Sequence, residues 1–197
     1  DYRREPPRPA QNFYHKDFGA YTGEVSVMQL RGLVDYAIIG HSERRYLFGE
    51  TNKDLRQKVA AAIRNHITPI LCIGETENER NFNETADVIR DQLHGGLSEV
   101  AAEDLKKVSI AYEPVWAISS NKGARLATPD EVAASIQLIK RELGTIYGKA
   151  QTESIPILYG GSINPNNAGA YLTIPEVNGL LIGGSSLISD HFVDIID

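Results

Sequence analysis

Cysteine and tryptophan occur once each in 197 residues, as Cys72 and Trp116. A single thiol excludes an intramolecular disulfide and a multi-cysteine zinc site. It fits a reducing, cytoplasmic setting. No uninterrupted apolar run approaches the roughly 20 residues of a membrane span, and no signal peptide is visible. An excess of positive charge is also missing: 20 Lys and Arg face 26 Asp and Glu, a formal charge of −6. That argues against a general nucleic-acid binder. It leaves room for a small anionic ligand, which backbone N–H groups can hold. No low-complexity block and no linker divides the chain. Residues Asp1 to Pro9, with three Pro and five charges, read as an extended lead-in, and residues 10–197 as one domain. The sequence starts at Asp1 rather than Met, as a fragment or a processed form would.

What is present is an ordinary globular composition, 42% hydrophobic and 23% charged. A chain of this size can bury about 70% of its unfolded surface. Short, nearly continuous apolar runs recur at Tyr36–Gly40, Pro69–Gly74, Val108–Tyr112, Ile155–Gly160 and Gly179–Gly184. Strands of a parallel sheet buried on both faces read this way. A short strand at Pro9–Asn12 brings the count to about six. Between the runs lie helical patterns. Leu55, Val59, Ala62 and Ile63 share one face, as do Val132, Ile136, Ile139 and Leu143. Thr128 is placed as an N-cap with Pro129 first in the helix and Glu131 closing a capping box, and Gly144 as the stop. A third helix is expected over Asn83–Leu93, ended by Gly95-Gly96, and a fourth from Asn164-Pro165. Alternating strands and helices mean βαβ units, an α/β fold.

Chemistry in such folds concentrates where strands end. His41 follows the run Tyr36–Gly40, beside Ser42, Glu43, Arg44 and Arg45. It is a general acid or electrophile, or a structural histidine at a helix start. Glu113 ends the run Val108–Tyr112 in an apolar setting. Burial would raise its pKa and make it a competent base; the competing reading is an ion pair with a nearby arginine. Pro114 and Trp116 after it make a rigid, bulky hinge, which favours the base. Gly160-Gly161-Ser162 and Gly183-Gly184-Ser185-Ser186 end the last two strands. Paired glycines there let backbone N–H groups approach a phosphate, although tight turns also use them. Ser185-Ser186 can cap a short helix at such a site.

Taken together, these segments resemble the triosephosphate isomerase family. The resemblance is carried by His41-Ser42-Glu43-Arg44-Arg45, Tyr112-Glu113-Pro114-Val115-Trp116-Ala117-Ile118, Tyr159-Gly160-Gly161-Ser162 and Gly183-Gly184, in the family's order. Gln11-Asn12, Gly19-Ala20-Tyr21-Thr22-Gly23-Glu24 and Cys72-Ile73-Gly74-Glu75 extend it from about Ala10 to the C-terminus. It implies a TIM (β/α) barrel and a glycolytic and gluconeogenic isomerase. That enzyme interconverts dihydroxyacetone phosphate and glyceraldehyde 3-phosphate through an enediolate, without metal or cofactor. By resemblance Glu113 moves the proton and neutral His41 polarises the carbonyl, with Glu43 counted at the same site. Ser119, Ser162, Gly183 and Gly184 would bind the substrate phosphate. Ala117 to about Thr128 would form a closing lid. Thr22, Glu24 and Arg44 belong to the dimer loop, with Glu24 expected to pair with Arg44.

Two features depart from the family. Its first strand ends in an Asn and a Lys that have no counterpart here. The chain therefore corresponds to strands 3–8, about six βα units. The stretch Ala117 to Pro129 is longer than usual and lacks the first glycine of Ala-Ile-Gly-Thr-Gly. Lys122 or Arg125 within it could reach inward to replace the lysine, against the ordinary expectation that both face solvent. A second reading follows from the missing lysine strand: a catalytically impaired fragment that acts as a binding or assembly unit. A third, another phosphate-binding barrel enzyme of the indole-glycerol-phosphate lyase type, is opposed by the combination of His41, Glu113, Pro114 and Trp116. His15, His66, His94 and His191 read as solvated, Cys72 as an inert core thiol, and Glu75 to Glu79 as a solvated acidic loop.

Overall fold

The computed structural model describes residues 7–118 and 124–196 of the chain. Six strands lie side by side in chain order, every neighbouring pair parallel. They are β1 (Pro9–Ala10), β2 (Tyr36–Ile39), β3 (Thr68–Ile73), β4 (Ser109–Tyr112), β5 (Ile157–Tyr159) and β6 (Gly179–Leu180). Helices α1 (Val27–Leu30), α2 (Ser42–Tyr46), α3 (Asn52–Arg64), α4 (Glu77–Asn81), α5 (Thr85–Leu97), α6 (Pro129–Tyr147), α7 (Lys149–Thr152), α8 (Ala168–Leu172) and α9 (Ser189–Ile196) occupy the connections. Sequential parallel strands joined by crossovers give a curled half-barrel, an open six-stranded part of a TIM-barrel architecture. The sheet edges are β1 and β6. Among the described residues no helix is long and apolar enough to cross a membrane.

The apolar runs are continuous because both sheet faces are covered. Leu71, Ile73, Ile110 and Tyr112 pack toward the helices in the main core, with Leu55, Val59, Ile89, Leu93, Ile136 and Ile139. Their alternating neighbours Ile70, Cys72 and Ala111 form a smaller inner cluster with Ile38, Leu158 and Leu181. In β3 and β4 the register sets Cys72 opposite Ala111 and Ile73 opposite Tyr112.

Thr128, Pro129 and Glu131 start α6 as the sequence predicts, with both capping-box hydrogen bonds formed. Its end differs. The helix passes Gly144 and stops at Gly148, whose φ of +85° a side chain would resist. The third helix also overruns its expected stop, since α5 runs through Gly95 and Gly96 to Leu97. A Cβ at Gly95 would lie 2.6 Å from Asn52 Cβ, and one at Gly96 2.8 Å from Leu71 Cδ2. These glycines admit a neighbouring helix and strand rather than end the helix. The fourth helix begins at Ala168, after a turn in which Asn164 O accepts from Asn167 and Ala168. Both edge strands are shorter than predicted, each having one neighbour. Residues 1–6 of the expected lead-in lie outside the described residues. Arg8 is already joined to Asp35 by backbone and side-chain hydrogen bonds, and Pro9 belongs to β1.

Candidate active site

The cleft at the carboxyl ends of the strands is built by two neighbouring turns. After β2, Gly40 turns the chain at φ +77° and passes it to His41. That φ favours glycine, and a Cβ there would also press on Leu55 Cδ1 at 2.6 Å. His41 is the N-cap of α2, and its Nδ1 accepts the backbone N–H of Glu43 at 3.3 Å. A ring nitrogen that accepts carries no proton, so the neutral imidazole holds its proton on Nε2. Burial lowers the His41 pKa, with Glu43 acting in the opposite sense. The helix N-terminus likewise disfavours a cation.

Glu113 follows β4, its N–H donating to Ile73 O at 2.7 Å. Its side chain is buried and lies with Oε1 3.3 Å from His41 Nε2. Glu113 Oε2 accepts the N–H of Ser42 at 3.4 Å. Burial pushes the Glu113 carboxyl up to about 8, against the Ser42 N–H, the Cys72 thiol and the Arg45 charge, which act to lower it. Among the described residues no arginine forms the alternative ion pair with Glu113. Arg45 instead donates to Gly40 O, Asn52 Oδ1 and Cys72 O, at 2.8, 2.8 and 2.9 Å. Gly74 and Gly160 make room for the glutamate: a Cβ on Gly74 would lie 1.9 Å from Glu113 O, and one on Gly160 3.0 Å from Glu113 Cγ.

His41, Glu43, Glu113, Ile118, Gly183 and Gly184 share the walls of one cleft of about 450 Å³. Gly183 and Gly184 are exposed and open a 3₁₀ turn over Gly184–Leu187. Ser185 and Ser186 do not cap it. Their hydroxyls donate to Ile163 O and Gly183 O. Ser162 lies beside the cleft with both its N–H and its hydroxyl turned to Ala117 O, at 3.0 and 2.7 Å. Ser119 and Lys122 lie outside the described residues. Thr22 and Glu24 are exposed in the loop before α1. Within the chain Arg44 is held not by Glu24 but by Glu50, at 2.8 Å, and lies over the Phe48 ring.

Glu75 is placed where the sequence does not put it, while Arg125 and Cys72 keep their expected exposed and buried settings with partners the sequence does not show. Glu75 is fully buried rather than solvated. It accepts from Trp116 Nε1 at 3.0 Å and from Tyr112 Oη at 3.2 Å, and pairs with Arg80 at 3.0 Å. Arg125 does not reach into the cleft. It pairs with Glu131 and covers Trp116. Cys72 is buried as expected, but its thiol faces Glu113, and burial pushes its pKa well up. The local sequence carried no signal for these, since each contact joins segments about 40 residues apart or bridges a loop. The exposed His66, His94 and His191 stand away from the cleft.

Geometrically the cleft offers a desolvated carboxylate, a neutral N–H donor opposite it, and exposed backbone at a glycine turn. That set suits proton abstraction beside a carbonyl on an anionic substrate. The family description that matches is "Triosephosphate isomerase", over residues 6–197. The triosephosphate isomerase of Chlorobium phaeobacteroides is 45% identical over 189 residues, 95% of this chain and 74% of that protein. That of Cytophaga hutchinsonii is 45% identical over 188 residues, 94% and 73% of the two chains. For Caldanaerobacter subterraneus subsp. tengcongensis the values are 40% over 189 residues, 95% and 75%.

Proposed function

Because this chain belongs to the triosephosphate isomerase family, we propose that it interconverts dihydroxyacetone phosphate and glyceraldehyde 3-phosphate. The observation that carries the reading is the buried Glu113 carboxyl facing His41 Nε2 across 3.3 Å in a cleft that also exposes Gly183 and Gly184. In this reading the ionised Glu113 takes the proton from the carbon next to the carbonyl. His41 donates its Nε2–H to the carbonyl oxygen as negative charge develops there. The hydroxyl on the first carbon then gives its proton back to His41 as its oxygen becomes the new carbonyl, and the protonated Glu113 returns its proton to the former carbonyl carbon, which completes the aldose–ketose exchange. Glu43 contributes through its backbone N–H, which holds His41 in the productive tautomer. The N–H groups of Gly183 and Gly184 receive the phosphate; Ser162 joins them by exchanging its contacts to Ala117 O for phosphate oxygens, and Ser119 is assigned there by the family resemblance alone. No oxidant or metal enters this balance.

Burial supports Glu113 as the base, since a desolvated carboxylate is more basic than one in water. Self-association is part of the same reading. Phe18 is 77% exposed in the loop before α1, and Leu47 and Phe48, beyond α2, are 75% and 65% exposed. Apolar groups this open favour burial against a second copy. Light scattering at micromolar concentration should give twice the 21.7 kDa chain mass. A clean monomer counts against the dimer. The lone buried thiol of Cys72 is in keeping with a reducing, cytoplasmic compartment. The reading as a whole is tested by a coupled assay of triose phosphate isomerisation with the purified chain.

A further inference from the structure

The connection from β4 to α6 leaves the sheet at Glu113 and rejoins the fold at Thr128. Its two feet meet outside the cleft. Trp116, 6% exposed, donates Nε1–H to Glu75 at 3.0 Å. Two guanidiniums lie over its ring, Arg80 at 4.5 Å and Arg125 at 4.2 Å from the centroid. Both also grip Glu131 in the first turn of α6. Arg80 reaches Oε1 at 2.9 Å, and Arg125 binds both oxygens, at 2.6 and 2.9 Å. Arg80 closes the circuit on Glu75 at 3.0 Å. A ring of five side chains thus links the end of β3, α4, the start of α6 and both feet of the connection. Arg125 is the only member of that ring on the returning foot, and it sits in the stretch that is longer than the family pattern.

We propose that Arg125 is a positioning residue: by bridging Glu131 and Trp116 it fixes the outgoing foot Pro114–Ala117, and through it Glu113. The path is short. Trp116 is three residues from Glu113, and the carbonyl of the next residue, Ala117, receives both hydrogen bonds of Ser162. Ile118, one residue further, lines the cleft. The returning foot has other anchors. Tyr171 Oη donates to Ala127 O at 2.7 Å, and Thr128 N donates to Glu131 at 2.9 Å. Glu131 also keeps Arg80. Removal of Arg125 therefore leaves the returning foot in place and no carboxylate unpaired; besides the exposed Leu126 O, which loses a donor at 3.2 Å, it frees Trp116 on the side that Arg125 covers. A bidentate guanidinium stacked on an aromatic ring is a geometry that lysine reproduces only in part.

The catalytic consequence rests on the isomerase reading, so the test has two readouts. Trp116 is the sole tryptophan, and its fluorescence reports the contact without turnover. Wild type, Arg125→Ala and Arg125→Lys are compared by acrylamide quenching of Trp116 and by steady-state isomerisation of glyceraldehyde 3-phosphate. The alanine variant should be quenched more readily. Its kcat should fall about tenfold with KM within about twofold, because a small misplacement of a reacting group costs rate rather than affinity. The lysine variant should lie between the two in both readouts. Unchanged quenching in Arg125→Ala overturns the proposal, as does altered quenching with wild-type kcat or a loss confined to KM. If the wild-type chain turns over no triose phosphate, the isomerase reading fails separately. The quenching contrast then still decides whether Arg125 holds Trp116.

Discussion

His41 Nε2 stands 3.3 Å from Glu113 Oε1 while His41 Nδ1 accepts the Glu43 N–H at the same distance. The second contact fixes the meaning of the first: the proton between imidazole and carboxyl belongs to a neutral ring, not an imidazolium. Burial keeps it so. Nitrogen-15 NMR should find His41 as the Nε2–H tautomer at pH 7 and still neutral through the ordinary imidazole range near pH 6.5. Below that range the unfolded chain gains a proton that the folded one refuses, so this group lowers stability as pH falls. An imidazolium at His41 near pH 6.5 contradicts the arrangement.

Glu113 gives a pH dependence of opposite sense. Its folded pKa is raised from about 4.5 to about 8. Between those values the folded protein holds a proton the unfolded chain has lost, so stability declines as pH rises and levels off above about pH 8. The penalty is on the order of a few kcal/mol at its full extent. Urea unfolding of Glu113→Gln against wild type should show the variant more stable at pH 8 and equal at pH 4. Over the same interval kcat/KM of the wild type should rise toward a plateau as the base ionises. Equal stabilities at pH 8 are the result that would count against a desolvated Glu113.

Gly74, directly after β3, lies against the backbone of Glu113, directly after β4. A Cβ there would overlap Glu113 O at 1.9 Å, and backbone cannot rotate away as a side chain can. Gly74→Ala should destabilise the fold by about 1–3 kcal/mol. It should reduce kcat/KM by at least roughly tenfold in the fraction that folds, since the strand end carrying Glu113 must shift. Circular dichroism together with the isomerase assay separates the two effects. Wild-type kcat/KM in the folded variant is the contrary outcome.

The interior of the sheet was legible in the sequence because burial on both faces leaves a pattern in the residues themselves. Leu71 and Cys72 face opposite layers, yet both must be apolar. The start of α6 was legible for a similar local reason, since Thr128, Pro129 and Glu131 act within one turn. His41 and Glu113 could each be read as strand-end residues. Their meeting across 3.3 Å depends on β2, β3 and β4 lying in order, which no local signal states. Glycine misled where its purpose was packing. Gly95-Gly96 and Gly144 read as stops, but the first pair faces Asn52 and Leu71, and the stop lies at Gly148. Glu75 was misread because a charge looks solvated until its partners Arg80, Tyr112 and Trp116 are brought in from other elements.

The most direct test is steady-state isomerisation of dihydroxyacetone phosphate and glyceraldehyde 3-phosphate by the wild-type chain and by Glu113→Gln, both verified as folded. The account predicts turnover in the wild type and a loss of about 10²–10⁴-fold or more in the variant, the cost of removing a positioned base. Near-wild-type isomerisation by Glu113→Gln, or none by the folded wild type, would contradict it.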